Sequence, residues 1–200
     1  MTKLSADYYR QTDVVALAKN LLGKHLVTDL DGIRTVGKIV ETEAYSGSCD
    51  KACHAWLYKR TERTQIFFEP GGLAYVYLCY GIHHLFNIVT NVADEPDAIL
   101  IRAVEPLEGE SDMLLRRKMH RMEHRLTAGP GSAAKALGIT KQLNGTDLTG
   151  NTIWLEDHNL SVPETQILAS PRVGIDYAEE DALLPWRFRI KDNPWTSKAK

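Results

Sequence analysis

Two glutamates, Glu41 and Glu43, stand two residues apart in the run IVETEAY and are followed by Tyr45. If this run is a strand, alternate side chains share a face, so Ile39, both glutamates and Tyr45 point one way and Ala44 the other. Neighbouring carboxylates repel each other, and this repulsion together with burial beside an aromatic ring can raise the pKa of one of them. Such a glutamate suits general-base chemistry near neutral pH. A solvent-facing pair at a strand end explains the periodicity equally well.

A second set of reactive side chains follows in the next loop. Cys49, Cys53 and His54 could bind zinc, with His83 and His84 as further ligands. Structural zinc sites favour two ligand pairs, each with short internal spacing. The run CDKAC supplies one such pair, but two adjacent histidines are not a usual second pair. The spacing therefore disfavours a metal site, and buried thiols with packed histidines are the favoured interpretation.

A cluster of tyrosines forms the third candidate. Tyr75 and Tyr77 would share one face of a strand, and Tyr80 stands beside Gly81 at a predicted turn, where a side chain can project. A projecting aromatic could insert between stacked bases, whereas an inward one could stack on a planar ligand. Taken as an isolated pattern, ordinary packing within the sheet is favoured.

The elements that would position these residues are strands joined as hairpins, with helices at uneven intervals. Hairpins are predicted in KHLVTDLDGIRTVGKIVETEAY and in LAYVYLCYGIHHLFNIVTNVA. AILIRAVEP reads as a strand that stops at Pro106, and TIWLED, ILASPRVGI and WRFRI read as short strands. Helices are predicted in TDVVALAKNLLG, in the charged run GESDMLLRRKMHRMEHRL and after TAGPG. This order predicts an α+β fold with an antiparallel sheet rather than a repeating βαβ fold.

Length and composition set further expectations. A chain of 200 residues suits one domain, 1–200, and no apolar run approaches the roughly 20 residues of a membrane helix. Three cysteines and an N-terminus without a secretory pattern suggest a cytoplasmic location. The net charge of −2 argues against generic binding of polyanions. Three locally basic segments, 58–63, 116–125 and 187–191, are interpreted from charge alone as solvated faces.

Taken together, these motifs resemble the alkyladenine (3-methyladenine) DNA glycosylase family, of the mammalian alkylpurine type. The resemblance covers nearly the whole chain, through ALAKNLLGKHLV, GKIVETEAY, DKACHAW, RTERTQIFFEPGGLAYVYLCYGIHHLFNIVT, AILIRAVEPLEG, TAGPGSAAKALGI, PRVGI and PWRFRIKDNPWTS. It implies a single domain with a curved antiparallel sheet, surrounding helices and a protruding β-hairpin. It also implies a monofunctional enzyme of base excision repair, which flips alkylated purines out of duplex DNA and hydrolyses the N-glycosidic bond, leaving an abasic site.

The resemblance assigns the chemistry to two residues. Glu43 matches the general base that activates the attacking water, and Arg102, in LIRA, matches an arginine that positions this water and the nearby backbone. Glu41 becomes a supporting residue.

The resemblance also assigns residues to the flipped base. Tyr45 and Tyr77 match aromatics on opposite faces of the base, and His54 matches a pocket histidine that contacts the base and the sugar-phosphate. Asn87 matches an asparagine that crowds the exocyclic amine of normal guanine. Tyr80 matches the tyrosine that enters the minor groove and fills the gap left by the nucleotide. The mammalian type has aromatics where His83 and His84 follow the turn, which leaves pocket selectivity open.

The implied substrates are 3-methyladenine and 7-methylguanine in double-stranded DNA, with hypoxanthine and etheno-adenine as further candidates. The scheme requires no metal and no organic cofactor, and the small size with one site per chain predicts a monomer. Two other functions compete with it. One is a non-catalytic nucleic-acid-binding protein of the same fold, against which the intact Glu43, His54 and Asn87 argue. The other is a zinc-dependent hydrolase built on Cys49, Cys53 and His54.

Overall fold

One antiparallel sheet is the framework of the protein. The computed structural model describes residues 1–198, and nine strands within them join this sheet: β1 Thr2–Lys3, β2 His25–Leu30, β3 Ile33–Ser46, β4 Ala74–Cys79, β5 His83–Thr90, β6 Asp97–Glu108, β7 Ile153–Asp157, β8 Ile167–Ser170 and β9 Arg187–Ile190. The order across the sheet is β1-β7-β2-β3-β6-β5-β4, and β9 pairs with β3 and β8. The sheet is not closed into a barrel. The α+β class and the antiparallel sheet are therefore confirmed.

Strand β3 carries the two glutamates and has neighbours on both edges. Ile33–Lys38 pair with β2, Val36–Ser46 pair with β6, and Glu41–Glu43 pair with Arg187–Arg189 of β9. Because β9 takes the place of β2 at this point, the segment is enclosed on both sides, and Glu41 and Glu43 are fully buried. The alternative of a solvent-facing pair is thereby wrong.

The simple alternation predicted along β3 fails at Ile39. Ile39 packs in the main hydrophobic cluster together with Ala44, although the two were expected on opposite faces. The pairing with β6 shifts register between Ile39 and Glu41 and again between Glu41 and Thr42. A β-bulge of this kind adds an unpaired residue and turns the side chains before it to the other face. A strict period of two cannot anticipate it.

Strands β4 and β5 form the predicted hairpin. The two central residues of its turn have positive φ angles, 49° at Tyr80 and 72° at Gly81, which is the type I′ pattern that matches strand twist. The N–H of Ile82 donates to the carbonyl of Cys79 at 3.1 Å and closes the turn. Tyr80 is 88% exposed at the tip, so the expected projection of this side chain is confirmed.

The sequence predicts that strand β6 stops at Pro106, but in the structure the strand continues past this residue. Pro106 pairs with Gly37, and the strand continues until Glu108 pairs with Val36. The register shifts between these two pairs, leaving Leu107 without a partner in the ladder. Proline is tolerated in a sheet at such a bulge, where the regular hydrogen-bond pattern is already interrupted.

The helices of the described residues are short: α1 Ala6–Tyr9, α2 Val14–Asn20, α3 Glu110–Arg117 and α4 Pro130–Ala136. Asp13 caps α2 by accepting the N–H of Ala16 at 2.9 Å, as its position predicts. The predicted charged helix ends early, because Lys118 has a φ of 54° and stops α3. Arg117 then donates to the carbonyls of Arg125 and Leu126 at 3.1 and 3.0 Å, so this basic segment is partly folded onto the protein rather than simply solvated.

The helices cover one face of the sheet and form the main core with it. The contacts α2·β3, α4·β5 and α4·β6 are the principal helix–sheet contacts, and the cluster includes Phe86, Phe188 and Met113. Within residues 1–198, no helix combines the length and apolar character that crossing a membrane requires.

Candidate active site

A cleft of about 600 Å³ lies where β3, β4, β5 and β6 meet the loops around residues 52–54, 129–132 and 173–177. It brings together six of the seven site residues expected from the resemblance: Tyr45, His54, Tyr77, Tyr80, Asn87 and Arg102. The seventh, Glu43, lies directly beneath its lining. Residues from Tyr45 to Tyr177 therefore meet around one concavity, which is the geometry of a ligand pocket.

Glu43 is held at the floor of the cleft by three donors. The hydroxyl of Tyr45 donates to Oε2 at 2.8 Å, the backbone N–H of Val173 donates to Oε1 at 2.9 Å, and Nη1 of Arg102 lies 3.1 Å from Oε1. All three partners line the cleft. The Glu43 carboxylate is therefore held in one orientation immediately behind the surface of the cleft.

Glu41 has a different environment. Its carboxylate accepts from Nε of Arg102 at 2.8 Å, from Nε of Arg187 at 2.7 Å, and from the N–H and hydroxyl of Ser197 at 2.6 and 2.8 Å. Burial alone would raise the pKa of Glu41, but Arg102, the Ser197 N–H and Arg187 outweigh it and hold this pKa below its usual range. Glu41 is therefore a fully partnered anion inside the protein.

Arg102 joins the two glutamates. Its Nε contacts Glu41 and its Nη1 contacts Glu43, while its side chain is only 5% exposed. With Arg187, the cluster contains two carboxylates and two guanidinium groups, so its formal charges balance. Arg187 also corrects the interpretation of residues 187–191 as a solvated basic face, because Arg187 is buried and paired.

Aromatic rings form one wall of the cleft. The rings of Tyr75 and Tyr77 stack with centroids 5.4 Å apart, and His54 meets Tyr77 edge-on at 4.9 Å. Burial, and then the neighbouring Glu43, raise the pKa of Tyr45 well above its ordinary value, so its hydroxyl keeps the proton that it donates to Glu43. The rings thus present flat apolar faces to the cleft, and the Tyr45 hydroxyl stays protonated.

Arg63 organises this wall, and sequence reasoning missed it, since it appeared only within a basic run. Its Nε donates to the Tyr75 hydroxyl at 2.9 Å, and that hydroxyl lies 3.0 Å from Nδ1 of His54. Nη2 of Arg63 also lies 3.2 and 3.3 Å from Nδ1 and Nε2 of His54, so one guanidinium contacts both the tyrosine hydroxyl and the imidazole. Arg63 also lies 4.8 Å from the Tyr77 ring centroid.

The protonation state of His54 follows from the same contacts. Burial, and then the positive charge of Arg63, lower the pKa of His54 to about 4. The imidazole is therefore neutral at pH 7.

Arg172 is a second residue that sequence reasoning missed. It forms an ion pair with Asp50 in which both side chains are fully buried, and it donates to the carbonyl of Ala44 at 2.9 Å. Its guanidinium lies 4.7 Å from the ring centroid of Tyr45. Arg172 thus supports Tyr45 from behind and fixes the start of the loop that carries Val173. The segment PRVGI in the family pattern was the signal that could have indicated it.

Asn87 and the hairpin complete the rim. Asn87 is 5% exposed, donates to the Tyr75 carbonyl at 3.2 Å and lines the cleft. The two histidines after the turn brace the hairpin: the ring of His83 packs closely on Gly131, and Nδ1 of His84 accepts the N–H of Lys141 at 3.2 Å. The exposed tip therefore stands on a supported base.

The cysteine loop does not form the metal site considered from the sequence. In the described residues Cys49, Cys53 and His54 are not among the groups whose ligand atoms converge. Cys49 is exposed, whereas Cys53 is buried, and burial raises the pKa of its thiol to about 12. A thiol with this pKa is a poor source of the thiolate that zinc requires.

Comparison with known proteins points in one direction. Residues 7–194 match the family model described as Methylpurine-DNA glycosylase (MPG). A protein of Chlamydia abortus is 48% identical over 188 residues, covering 94% of this chain and 97% of the relative. A protein of Natranaerobius thermophilus is 44% identical and covers 98% of both chains. One of Bacillus cytotoxicus is 44% identical, covering 95% and 97%. All three carry the provisional name 3-methyladenine DNA glycosylase.

Proposed function

The chain belongs to the methylpurine-DNA glycosylase family, and we propose that it releases alkylated purines from duplex DNA with a water molecule activated by Glu43. Family membership and the relatives' names make it a 3-methyladenine DNA glycosylase, a hydrolase that acts on N-glycosyl bonds. The proposal concerns its residues and its wider substrates. The observation that carries it is Glu43, fully buried beneath the cleft with three hydrogen-bond partners that all line that cleft.

The chemistry required is modest. As the bond from C1′ to the purine nitrogen breaks, its electron pair leaves with the base, and positive charge develops on the sugar. Water attacks C1′ and loses a proton to Glu43, whose negative charge also favours the cationic sugar. Arg102, whose Nη1 lies 3.1 Å from Oε1 of Glu43, would position the water next to this carboxylate. General-base assistance typically contributes about 10²–10⁴-fold in rate.

The cleft wall suits a cationic purine. Bases alkylated at N3 or N7 carry a positive charge, and aromatic faces such as those of Tyr45 and Tyr77 attract cations by about 0.5–2 kcal/mol. His54 is neutral at pH 7 because its pKa is about 4, so it adds no opposing charge. We therefore infer that 3-methyladenine and 7-methylguanine are good substrates. Neutral hypoxanthine and etheno-adenine gain less in binding and leave less easily, so we expect slower release.

Tyr80 would act on the DNA rather than on the base. Extruding a nucleotide costs a few kcal/mol, and an inserted side chain offsets part of that cost by filling the gap in the stack. Tyr80 is 88% exposed and has a φ of 49°, a left-handed conformation that tyrosine rarely adopts. A strained, exposed aromatic is better explained by contact with DNA than by stability.

The product should be an intact abasic strand. Strand cleavage by a glycosylase requires an amine that forms a Schiff base with the sugar. In the described part of the chain, no lysine is among the residues that line the cleft. We therefore propose a monofunctional enzyme. The small size of the chain and its single site lead us to propose that it acts as a monomer.

The test is incubation with methylated duplex DNA, followed by separate measurement of free bases and of strand breaks. Free 3-methyladenine with unbroken strands, which break only after alkali, is the expected result. Binding without base release would favour a non-catalytic DNA-binding protein. Breaks without alkali would contradict the monofunctional mechanism. Light scattering at micromolar concentration tests the monomer.

A further inference from the structure

A cluster of metal-ligating side chains lies on β2 and β7, away from the cleft. His25, Glu156 and His158 each offer one ligand atom, and these atoms all lie within 4.8 Å of one another. None of the three lines the cleft. We propose that they form a binding site for one divalent transition-metal ion of the Zn²⁺ class.

The sheet itself brings the three residues together. His25 on β2 is directly opposite Glu156 on β7 in the register of this strand pair. His158 follows directly after the end of β7, and its Nε2 lies 3.0 Å from Oε2 of Glu156. Zinc binds nitrogen and oxygen at about 2.0–2.2 Å, which sets its ligand atoms roughly 3–4 Å apart. Rotation of side chains closes that remaining gap, and the paired strands need not move.

The carboxylate is already oriented by an outer layer of donors. Glu156 is 4% exposed, and its Oε1 accepts Nε1–H of Trp154 at 2.8 Å and lies 3.4 Å from Nη2 of Arg34. Its Oε2 lies 3.0 Å from Nε2 of His158. A bound cation would replace the proton between this pair. Hydrogen bonds to ligating groups of this kind are what positions them in metal sites.

The histidines are suited to act as ligands. Their rings stack with centroids 3.9 Å apart, and a nitrogen of each ring lies within 4.8 Å of a carboxylate oxygen of Glu156. The nearby Lys38 is paired with Glu105 at 2.7 Å, which offsets its charge.

The ligand set selects the class of metal. Two imidazoles and one carboxylate suit Zn²⁺ and neighbouring transition ions, whereas Mg²⁺ and Ca²⁺ prefer sets made entirely of oxygen. Three protein ligands leave a fourth position for water. Because β7 is held by β1 and β2 near the edge of the sheet, the ion would clamp this edge and raise the melting temperature without entering the excision chemistry.

In the experiment, Zn²⁺ alone is titrated into the protein. The protein carries no affinity tag and has first been treated with a chelator and dialysed. Calorimetry should give one ion per chain, with a rise in melting temperature. His25→Ala and His158→Gln should each weaken binding at least tenfold. Trp154→Phe, which removes the outer donor and shrinks a buried ring packed on Val27 and Val36, should weaken it about tenfold. His120→Ala, at an exposed histidine elsewhere, should leave binding unchanged. Circular dichroism before Zn²⁺ is added establishes that each variant is folded.

Several outcomes overturn the proposal. Absence of saturable binding in the wild-type protein excludes the site, and so does equal binding in the wild type, His25→Ala and His158→Gln. If Cys49→Ser abolishes binding while the histidine variants retain it, the ion sits on the cysteine loop instead. Base release by the wild type is measured in parallel with and without Zn²⁺. A large change in its rate would contradict a site separate from the reaction.

Discussion

Glu41 and Glu43 stand two residues apart on one strand and are equally buried, yet their surroundings differ. Every hydrogen-bond partner described for Glu43 lines the cleft, whereas of the partners of Glu41 only Arg102 does. The remaining partners of Glu41, Arg187 and Ser197, close it off from the cavity. Burial alone therefore does not identify a catalytic acid or base. The two carboxylates differ in whether their hydrogen-bond donors line the cleft.

Arg102 makes the two environments interdependent. It gives one nitrogen to each carboxylate, so the orientation of Glu43 relies on a cation that Glu41 anchors. Arg187 supplies the second positive charge to Glu41 and relieves Arg102 of neutralising both carboxylates alone. We infer that Glu41 positions Arg102 and that Glu43 acts as the general base.

The largest expected effect is the loss of rate in Glu43→Gln. The substitution keeps the shape of the side chain but removes the proton acceptor, so base release should fall by about 10²–10⁴-fold. Single-turnover release from methylated duplex DNA, with enzyme in excess, measures it. Glu69→Gln, at an exposed glutamate away from the cleft, is the matched control and should react at the wild-type rate.

Glu41→Gln should act on stability. Breaking a buried ion cluster from one side leaves Arg102 and Arg187 with excess charge, which costs about 3–5 kcal/mol. Urea unfolding followed by circular dichroism gives the change in the free energy of unfolding. A loss below about 1 kcal/mol would mean that the cluster is not the structural anchor inferred above.

Acid should affect His54 before Glu41. His54 has a folded pKa of about 4 against an ordinary value of 6.5, so between these pH values the unfolded chain binds the proton that the folded protein refuses. Stability from His54 is therefore complete above pH 6.5 and is lost towards pH 4, by roughly 2–3 kcal/mol. Glu41, whose folded pKa is lowered, loses its contribution only below its ordinary value of 4.5.

Unfolding of the wild type and of His54→Gln between pH 7.5 and 3 distinguishes the two groups. The variant should show a smaller decline between pH 6.5 and 4, where the lowered pKa of His25 still contributes, and should keep the steeper decline at lower pH. Identical curves would contradict the burial of a neutral His54 beside Arg63.

The exposed tip should give the smallest change, and one in affinity alone. Tyr80→Ser removes an aromatic stack worth about 1–3 kcal/mol in binding to a lesion duplex. The free energy of unfolding should not change, because Tyr80 is 88% exposed. Ile82→Ser, at a neighbouring residue that is 71% exposed, is the matched control. Fluorescence anisotropy with labelled duplex measures both, and equal affinities would remove the proposed wedge.

Local sequence patterns predict much of this structure but not all of it. The hairpin, its projecting Tyr80 and the capped helix α2 follow from turn chemistry, the strand period and Asp13, all of which are local. The bulge after Ile39 and the bulge beyond Pro106 depend on pairing across the sheet, which the local period does not encode. They were therefore mispredicted.

The site was predicted through resemblance more than through physics. Periodicity could not choose between Glu41 and Glu43, because the choice depends on Ser197, which lies 156 residues from Glu41 in the chain. Arg63 and Arg172 were missed for the same reason, since each acquires its meaning only from rings and acids brought near it by folding.

The most direct test compares Glu43→Gln with Glu41→Gln in single-turnover base release from methylated duplex DNA, at a temperature where both variants are folded. We expect the rate of base release to fall by about 10²–10⁴-fold in Glu43→Gln. Glu41→Gln should stay within about tenfold of the wild type, equivalent to roughly 1.4 kcal/mol in the barrier. Release by Glu43→Gln at the wild-type rate, or equal losses in the two variants, would contradict the division of roles between these two carboxylates.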